Sequence, residues 1–256
     1  MGSAARVTLV TGAGSGMGRA LCERLAARGE AVVAVDIDGA KLAWTDGWAA
    51  VVPHTADVTH EDDNDAMVAF AVDQFGGLDA AALNAGIDVV GTVDQLPMER
   101  FDRVLDVNLR GVVLGIRSVI PALRARAGGS IVVTSSMGGL VGQVGRSAYG
   151  VAKAGLVNLV KTVSLEVGHE RIRINAVCPG PIRDTDMSAG FDVRHPDLYR
   201  EFANRTALKR FGSAEEVAAV MDFLLSRAAS YVTGAAVPVD GGTTAGAALD
   251  QPLGNL

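Results

Sequence analysis

The sequence predicts one doubly wound α/β domain across residues 1–256: a seven-stranded parallel sheet flanked by helices. Three observations predict it. Short β-branched runs alternate with helical stretches, which implies parallel pairing through right-handed crossovers. The strand runs are apolar without polar alternation, as in strands buried on both faces. No linker, internal repeat or low-complexity tract divides the chain, and its 49% hydrophobic content supports a large core.

The elements follow in order. "RVTLV" (6–10) reads as a strand and "GRALCERLAARG" (18–29) as a helix. "AVVAVD" (31–36) is a strand, "AAVVPHTADV" (49–58) contains another, and 61–76 reads as a helix whose leading acids suit the helix dipole. "LDAAALNAG" (78–86) holds the fourth strand. A long helical stretch fills 97–126, and Pro121 is expected to bend or end it. "SIVVTSS" (130–136) is a strand and 148–169 a helix. "RINAVCPG" (173–180), a helix over 214–227 and "AAVPVD" (235–240) complete the pattern. The longest irregular-looking piece is an insert at about 186–211, a candidate lid.

A net charge of −6 speaks against nucleic-acid and anionic-membrane partners. No apolar run reaches the ~18 residues of a membrane span, and no signal peptide precedes the first strand. Cys22 and Cys178 match no metal spacing, and the four histidines (His54, His60, His169, His195) are scattered. The expectation is a soluble cytoplasmic protein without a metal.

Between the first strand and first helix lies "TGAGSGMG" (11–18). Gly12, Gly16 and Gly18 allow positive φ and close approach of a diphosphate to the main chain. The helix start then offers free N–H groups and partial positive charge. Ser15 and Met17 complete this predicted cofactor-binding turn. Asp36 ends the second strand, where a carboxylate accepts hydrogen bonds from a ribose diol and repels a 2′-phosphate. The turn has no Lys or Arg before Gly16, and Ile37 follows Asp36, so the expected cofactor is NAD.

Further on, "SAYGVAK" (147–153) sets Tyr149 and Lys153 four apart, on one helical face. Together with TGxxxGxG at 11–18, "NAG" at 84–86, "VNL" at 107–109, Ser136, and "PG" at 179–180, this resembles the short-chain dehydrogenase/reductase family. "RFGSAEEVA", "YVTG" and "VDGG" within 210–242 extend the resemblance, which covers about 6–242. It implies a Rossmann-like sheet, a nicotinamide cofactor and hydride transfer at a carbonyl or secondary alcohol. By resemblance Tyr149 is the acid/base, and Lys153 holds the nicotinamide ribose and lowers the tyrosine pKa. Ser136 bonds the substrate oxygen, and Asn108 positions a water for a proton relay. Asp57 and Val58 frame the adenine. Asn84, Ala85 and Gly86 run beside the cofactor, as do Pro179 and Gly180. Ile182 meets the carboxamide through its backbone, and Thr185 is a nearby contact. The sequence departs from the family twice. Leu83 replaces the first asparagine of "NNAG", and "PGPIRDT" has one extra residue before Thr185.

The Tyr–Lys spacing has a physical rationale. Bringing a phenol from about 10 to about 7 takes roughly 4 kcal/mol, at 1.36 kcal/mol per unit. A cation ~4 Å away at an effective dielectric of ~20 supplies about that much, so Lys153, helped by the positive charge of the oxidised nicotinamide, is of the right magnitude. The expected pocket lining near Ser136 is small and apolar (Gly138, Gly139, Leu140, Val141), with "IDVV" (87–90) and the insert opposite. This favours an uncharged or weakly polar ketone or secondary alcohol as substrate; Arg183 and Arg194 leave a carboxylate open. A redox sensor or scaffold that binds nucleotide without turnover is the alternative. The helix 148–167 is apolar around most of its circumference and needs a second cover, so a homo-oligomer is expected, a tetramer by resemblance. The tail after Gly242 is a candidate for reaching across that interface.

Overall fold

The computed structural model describes residues 5–246. Strands β1 (Val7–Thr11), β2 (Ala31–Asp36), β3 (Val51–Thr55), β4 (Ala80–Leu83), β5 (Gly129–Thr134), β6 (Ile172–Pro179) and β7 (Ala236–Val239) form one sheet. Its order is β3-β2-β1-β4-β5-β6-β7, parallel throughout. Chain order runs outward from β1 in one direction and from β4 in the other. The crevice for a ligand therefore opens at the carboxyl ends of β1 and β4.

Helices α1 (Gly16–Ala27) and α8 (Ala214–Leu225) cover one face; α2 (Glu61–Phe75), α4 (Gly111–Ala125) and α5 (Ser147–Val167) cover the other. Side chains of a strand alternate between the faces. Val7 and Leu9 join Met67, Ile116 and Leu156 on one side, while Val10 joins Leu21, Val217 and Met221 on the other. Both strand faces are buried, which is why the sequence shows no polar alternation there.

Three stretches differ from expectation. The 97–126 helix is α3 (Met98–Leu105) continued into α4 through a wider π-type turn over Asp106–Arg110. Pro121 does not end it; α4 runs on to Ala125. Pro121 is exposed, so water can reach the carbonyl a turn earlier that its ring leaves without a partner. The insert is largely helical, with α6 (Phe191–Arg194) and α7 (Pro196–Arg205). Residues Gly39–Gly47, read as no element, form 3₁₀ turns started by the Asp38 carboxylate on the Ala40 amide, 3.0 Å. The tail beyond 246 lies outside the described residues, and with it most of the segment expected at an interface. Among the described residues no helix is long and apolar enough to cross a membrane.

Candidate active site

The site begins with the turn joining β1 to α1. Gly12 and Gly16 have φ of +67° and +51°, which side chains disfavour. A Cβ on Gly18 would lie 2.1 Å from the Gly12 carbonyl oxygen, so only glycine lets the turn fold against the first helical turn. No acid occupies that first helical turn, and its N–H groups keep their positive end unopposed. Ser15 stands at the helix N-cap without capping it; its hydroxyl pairs with Asp186 of the insert. Met17 packs against the core under α1.

Asp36 reaches this turn from the end of β2. One oxygen accepts the Gly14 amide at 2.9 Å and the other accepts the Asp38 amide at 3.1 Å. Lys41 lies next to it, which sequence reading missed. Its ammonium is paired with Asp186 and also faces Asp36 and Asp38, which together hold its pKa above the usual lysine value.

At the end of β4 the Asn84 side chain binds the scaffold. Its amide donates to the carbonyls of Thr11 (3.1 Å) and Gly12 (3.3 Å), and its oxygen accepts the Thr134 hydroxyl at 3.1 Å. The Thr11 hydroxyl in turn accepts the amides of Asn84 and Ala85. Asn84 thus staples β1, β4 and β5 at their carboxyl ends. A Cβ on Gly86 would meet the Asn108 side-chain oxygen at 2.6 Å and the Lys153 ammonium at 3.4 Å. Leu83, standing where the family has asparagine, is buried in the core.

Asn108 sits in the π-type turn and is fully buried. Its amide donates to Ile87 (2.8 Å) and Val104 (3.0 Å), and its oxygen accepts the Ile87 amide at 3.2 Å. One side chain therefore holds the loop after β4 by both backbone groups of a single residue. Asp57 is also engaged locally: one oxygen takes the amide and hydroxyl of Thr59, at 2.9 and 2.8 Å. The Val58 carbonyl accepts the Asn64 amide at 2.8 Å.

Ser136 follows β5. Its hydroxyl accepts the Gly138 amide at 3.1 Å and pairs with the Tyr149 hydroxyl. Tyr149 and Lys153 project inward from α5, 7% and 2% exposed. The Lys153 ammonium donates to the Thr134 carbonyl at 2.8 Å and lies 5.5 Å from the centre of the Tyr149 ring. The two side chains thus point together, as the spacing predicts. The expected pKa shift of the phenol is corrected, however. Burial dominates and pushes Tyr149 above the ordinary tyrosine value, and Asp88 adds to this. The Ser136 hydrogen bond and the Arg146 charge oppose it. Burial also lowers Lys153 to about 8, against the pull of Asp88. Desolvation of the enclosed phenol outweighs the groups that favour its phenolate.

Pro179 ends β6, and Gly180 follows, where a Cβ would fall 2.7 Å from the Asp240 Cα. Ile182 forms a parallel bridge with Gly212 through the Pro181 carbonyl and the Arg183 amide. That pattern turns the amide and carbonyl of Ile182 to the opposite side. The Thr185 methyl would touch a Cβ on Gly16 at 3.1 Å, so the extra residue before it still leaves Thr185 on the glycine turn.

The wall beside Ser136 is more polar than expected. A point at the missing Cβ of Gly138 is 2.5 Å from the Gln143 side-chain oxygen and 3.6 Å from the Ser136 hydroxyl. Asp88 and Arg146 pair at 3.2 Å next to Tyr149. Asp88 lies in a stretch expected as lining, but its pairing with Arg146 was not expected; partners so far apart in the chain leave no pattern in it. A cleft of about 330 Å³ lined by Arg183, Tyr199, Arg210, Phe211, Ser213 and Glu216 lies apart from the Tyr149 group.

Comparison with known proteins fits this geometry. Residues 12–244 match a family model described as "Enoyl-(Acyl carrier protein) reductase". The chain is 38% identical to levodione reductase of Leifsonia aquatica, covering 94% of each. It is 39% identical to 2-(R)-hydroxypropyl-CoM dehydrogenase of Xanthobacter autotrophicus (94% of this chain, 99% of the relative). It is equally close to meso-2,3-butanediol dehydrogenase of Serratia marcescens, at 39% over 94% and 95%. The crystal structure of levodione reductase superposes with a TM-score of 0.89 over 94% of this chain and 98% of that one. The chain belongs to the short-chain dehydrogenase/reductase family. It is an oxidoreductase acting on CH–OH groups and their carbonyl counterparts.

Proposed function

We propose that the protein is an NAD(H)-dependent dehydrogenase/reductase that interconverts a small secondary alcohol and its ketone, with Tyr149 as acid/base. The observation carrying this reading is the inward convergence of Ser136, Tyr149 and Lys153 beside the glycine turn. The turn suits a dinucleotide because Gly12 and Gly16 take positive φ and lead into a helix start whose N–H groups face no acid in the first turn. Bound there, NAD would supply a hydride acceptor and, when reduced, a donor.

The chain's own residues do the rest. The helix start at Ser15–Gly18 would hold the diphosphate, with Thr185 beside it. Asp36 would take the ribose diol. Lys41 does not reverse the preference for NAD, since Asp36, Asp38 and Asp186 surround it and leave the locality acidic. Asp57 and Val58 would border the adenine. Ala85 and Gly86 would line the middle of the cofactor, Pro179, Gly180 and Ile182 the nicotinamide end. Ser136 holds the substrate oxygen, and Tyr149 takes its proton during oxidation or returns one during reduction. Lys153 would bind the nicotinamide ribose and stabilise the phenolate. Asn108 acts by fixing Ile87, and a water held beside it would link Lys153 to solvent.

The relatives' names agree on the reaction and differ in the molecule it acts on. They support the reaction class rather than one substrate. The protein is proposed to act in the cytoplasm as a homotetramer. The test is NADH against NADPH fluorescence on binding, followed by a panel of secondary alcohols and ketones read at the reduced-nicotinamide band. A strong NADH preference and turnover that Tyr149→Phe cuts by orders of magnitude are expected, with NADH binding retained. Preference for NADPH, or near-normal turnover in the variant, refutes the reading.

A further inference from the structure

Asp88 and Arg146 form an ion pair that the reaction described above does not use. Asp88 lies on the loop after β4 between two anchors. Ile87 is held by both backbone groups to Asn108. Gly91 donates its amide to the Gly145 carbonyl at 2.9 Å and bridges to Arg146. The loop is thus tied to the segment leading into α5, and the Asp88 carboxylate meets the Arg146 guanidinium at 3.2 Å. Only 8% of the Asp88 side chain is exposed, against 35% for Arg146, and one Asp88 oxygen is buried without a hydrogen-bond partner. The same guanidinium lies 5.7 Å from the centre of the Tyr149 ring.

We propose that Asp88 and Arg146 are positioning residues whose opposed charges set the proton affinity of Tyr149, and so the pH at which alcohol oxidation gives way to carbonyl reduction. This rests on the reading of Tyr149 as the acid/base. The charged and titratable groups facing the phenol are Asp88 from the β4 loop, Arg146 before α5, and Lys153 on α5. Ser136, after β5, bonds the phenol, and Cys178 on β6 faces Lys153. A carboxylate held in so enclosed a place acts across low dielectric on everything near it. Asp88 favours the protonated phenol and the protonated Lys153; Arg146 favours the phenolate. Oxidation needs the phenolate as base, and reduction needs the phenol as acid. Asp88 therefore biases the resting enzyme towards the form that reduces a carbonyl.

The full-length protein tests this without turnover. It has three tyrosines, so tyrosinate absorbance of each variant minus that of its Tyr149→Phe counterpart reports Tyr149. Asp88→Asn is expected to move the midpoint down by more than about half a pH unit, and Arg146→Gln to move it up by a similar amount. The double variant should fall between them, and Arg146→Lys should restore the wild-type value. The alkaline rise of kcat/KM for alcohol oxidation should follow the same order. If both single variants leave the midpoint in place, or move it the same way, with NADH binding and far-UV spectrum intact, the proposal fails. Midpoints that move as expected while the kinetic profile stays fixed uphold the pair and remove Tyr149 as the acid/base. Should Asp88→Asn not fold, the Arg146→Gln and Arg146→Lys comparison decides alone.

Discussion

Lys153 places an ammonium where 2% of the residue is exposed, with the Thr134 carbonyl accepting one of its protons. Burial lowers its pKa from 10.5 to about 8, so the folded protein releases this proton more readily than the unfolded chain. The charged form is thus penalised in the fold. Stability rises with pH wherever the unfolded state binds more protons, here between about 8 and 10.5. Lys153→Met removes the penalty. We expect it to stabilise the free protein below pH 8 by up to about 3 kcal/mol, with the gain shrinking as pH rises to 10.5, while turnover is lost. Thermal melts across that range, with assays alongside, check it; a variant destabilised at every pH would contradict the argument. At this scale the sequence was legible where local geometry dictates contact. Residues four apart on a helix share a face, and Ser136 follows a strand beside it. The desolvation of Tyr149 was not legible, because it depends on Leu96, Val104 and Phe101, brought to the ring from elsewhere in the chain.

The glycine turn shows how one element becomes a binding surface. Each glycine answers a different constraint: Gly12 and Gly16 a positive φ, Gly18 a backbone contact. Gly18→Ala must push its methyl off the Gly12 carbonyl, 2.1 Å away. We expect a loss of about 2–3 kcal/mol in denaturant unfolding and at least a tenfold loss of NADH affinity. Wild-type affinity in that variant would mean the turn does not hold the cofactor. The five inner strands were readable because buried parallel strands are continuous apolar runs between turns; the edge strands β3 and β7, partly exposed, still carry two valines each. The π-type turn at Asp106–Arg110 was not, since its sequence continues a helical pattern on both sides. Such turns often mark functional positions, and here it delivers Asn108 into the core. The insert looked irregular for a different reason. Its helices are short, and α7 is mostly exposed although Leu198, Tyr199, Phe202 and Ala203 recur on it at helical spacing.

The whole molecule adds a constraint that neither scale supplies. α5 carries Tyr149 and Lys153 on its inner side and turns Val151 and Leu165 outward, 54% and 85% exposed. These two are about four turns apart, so they lie on one stripe. β7 is an edge strand, partly exposed, with β6 as its neighbour and the fully exposed Tyr231 shortly before it. An apolar outer stripe on a helix that holds the reacting residues is better covered than left wet. Covering it would also fix α5 from behind, so assembly and the placement of the phenol become one problem. We expect the protein to sediment as a multimer at micromolar concentration. Replacing Val151 and Leu165 together by arginine should shift it to smaller species, because the new charges cannot be buried in a symmetric contact that meets each of them twice. A wild-type monomer, or an arginine pair that leaves the sedimentation coefficient unchanged, would show that α5 faces water and that the site is held rigid by its own subunit alone.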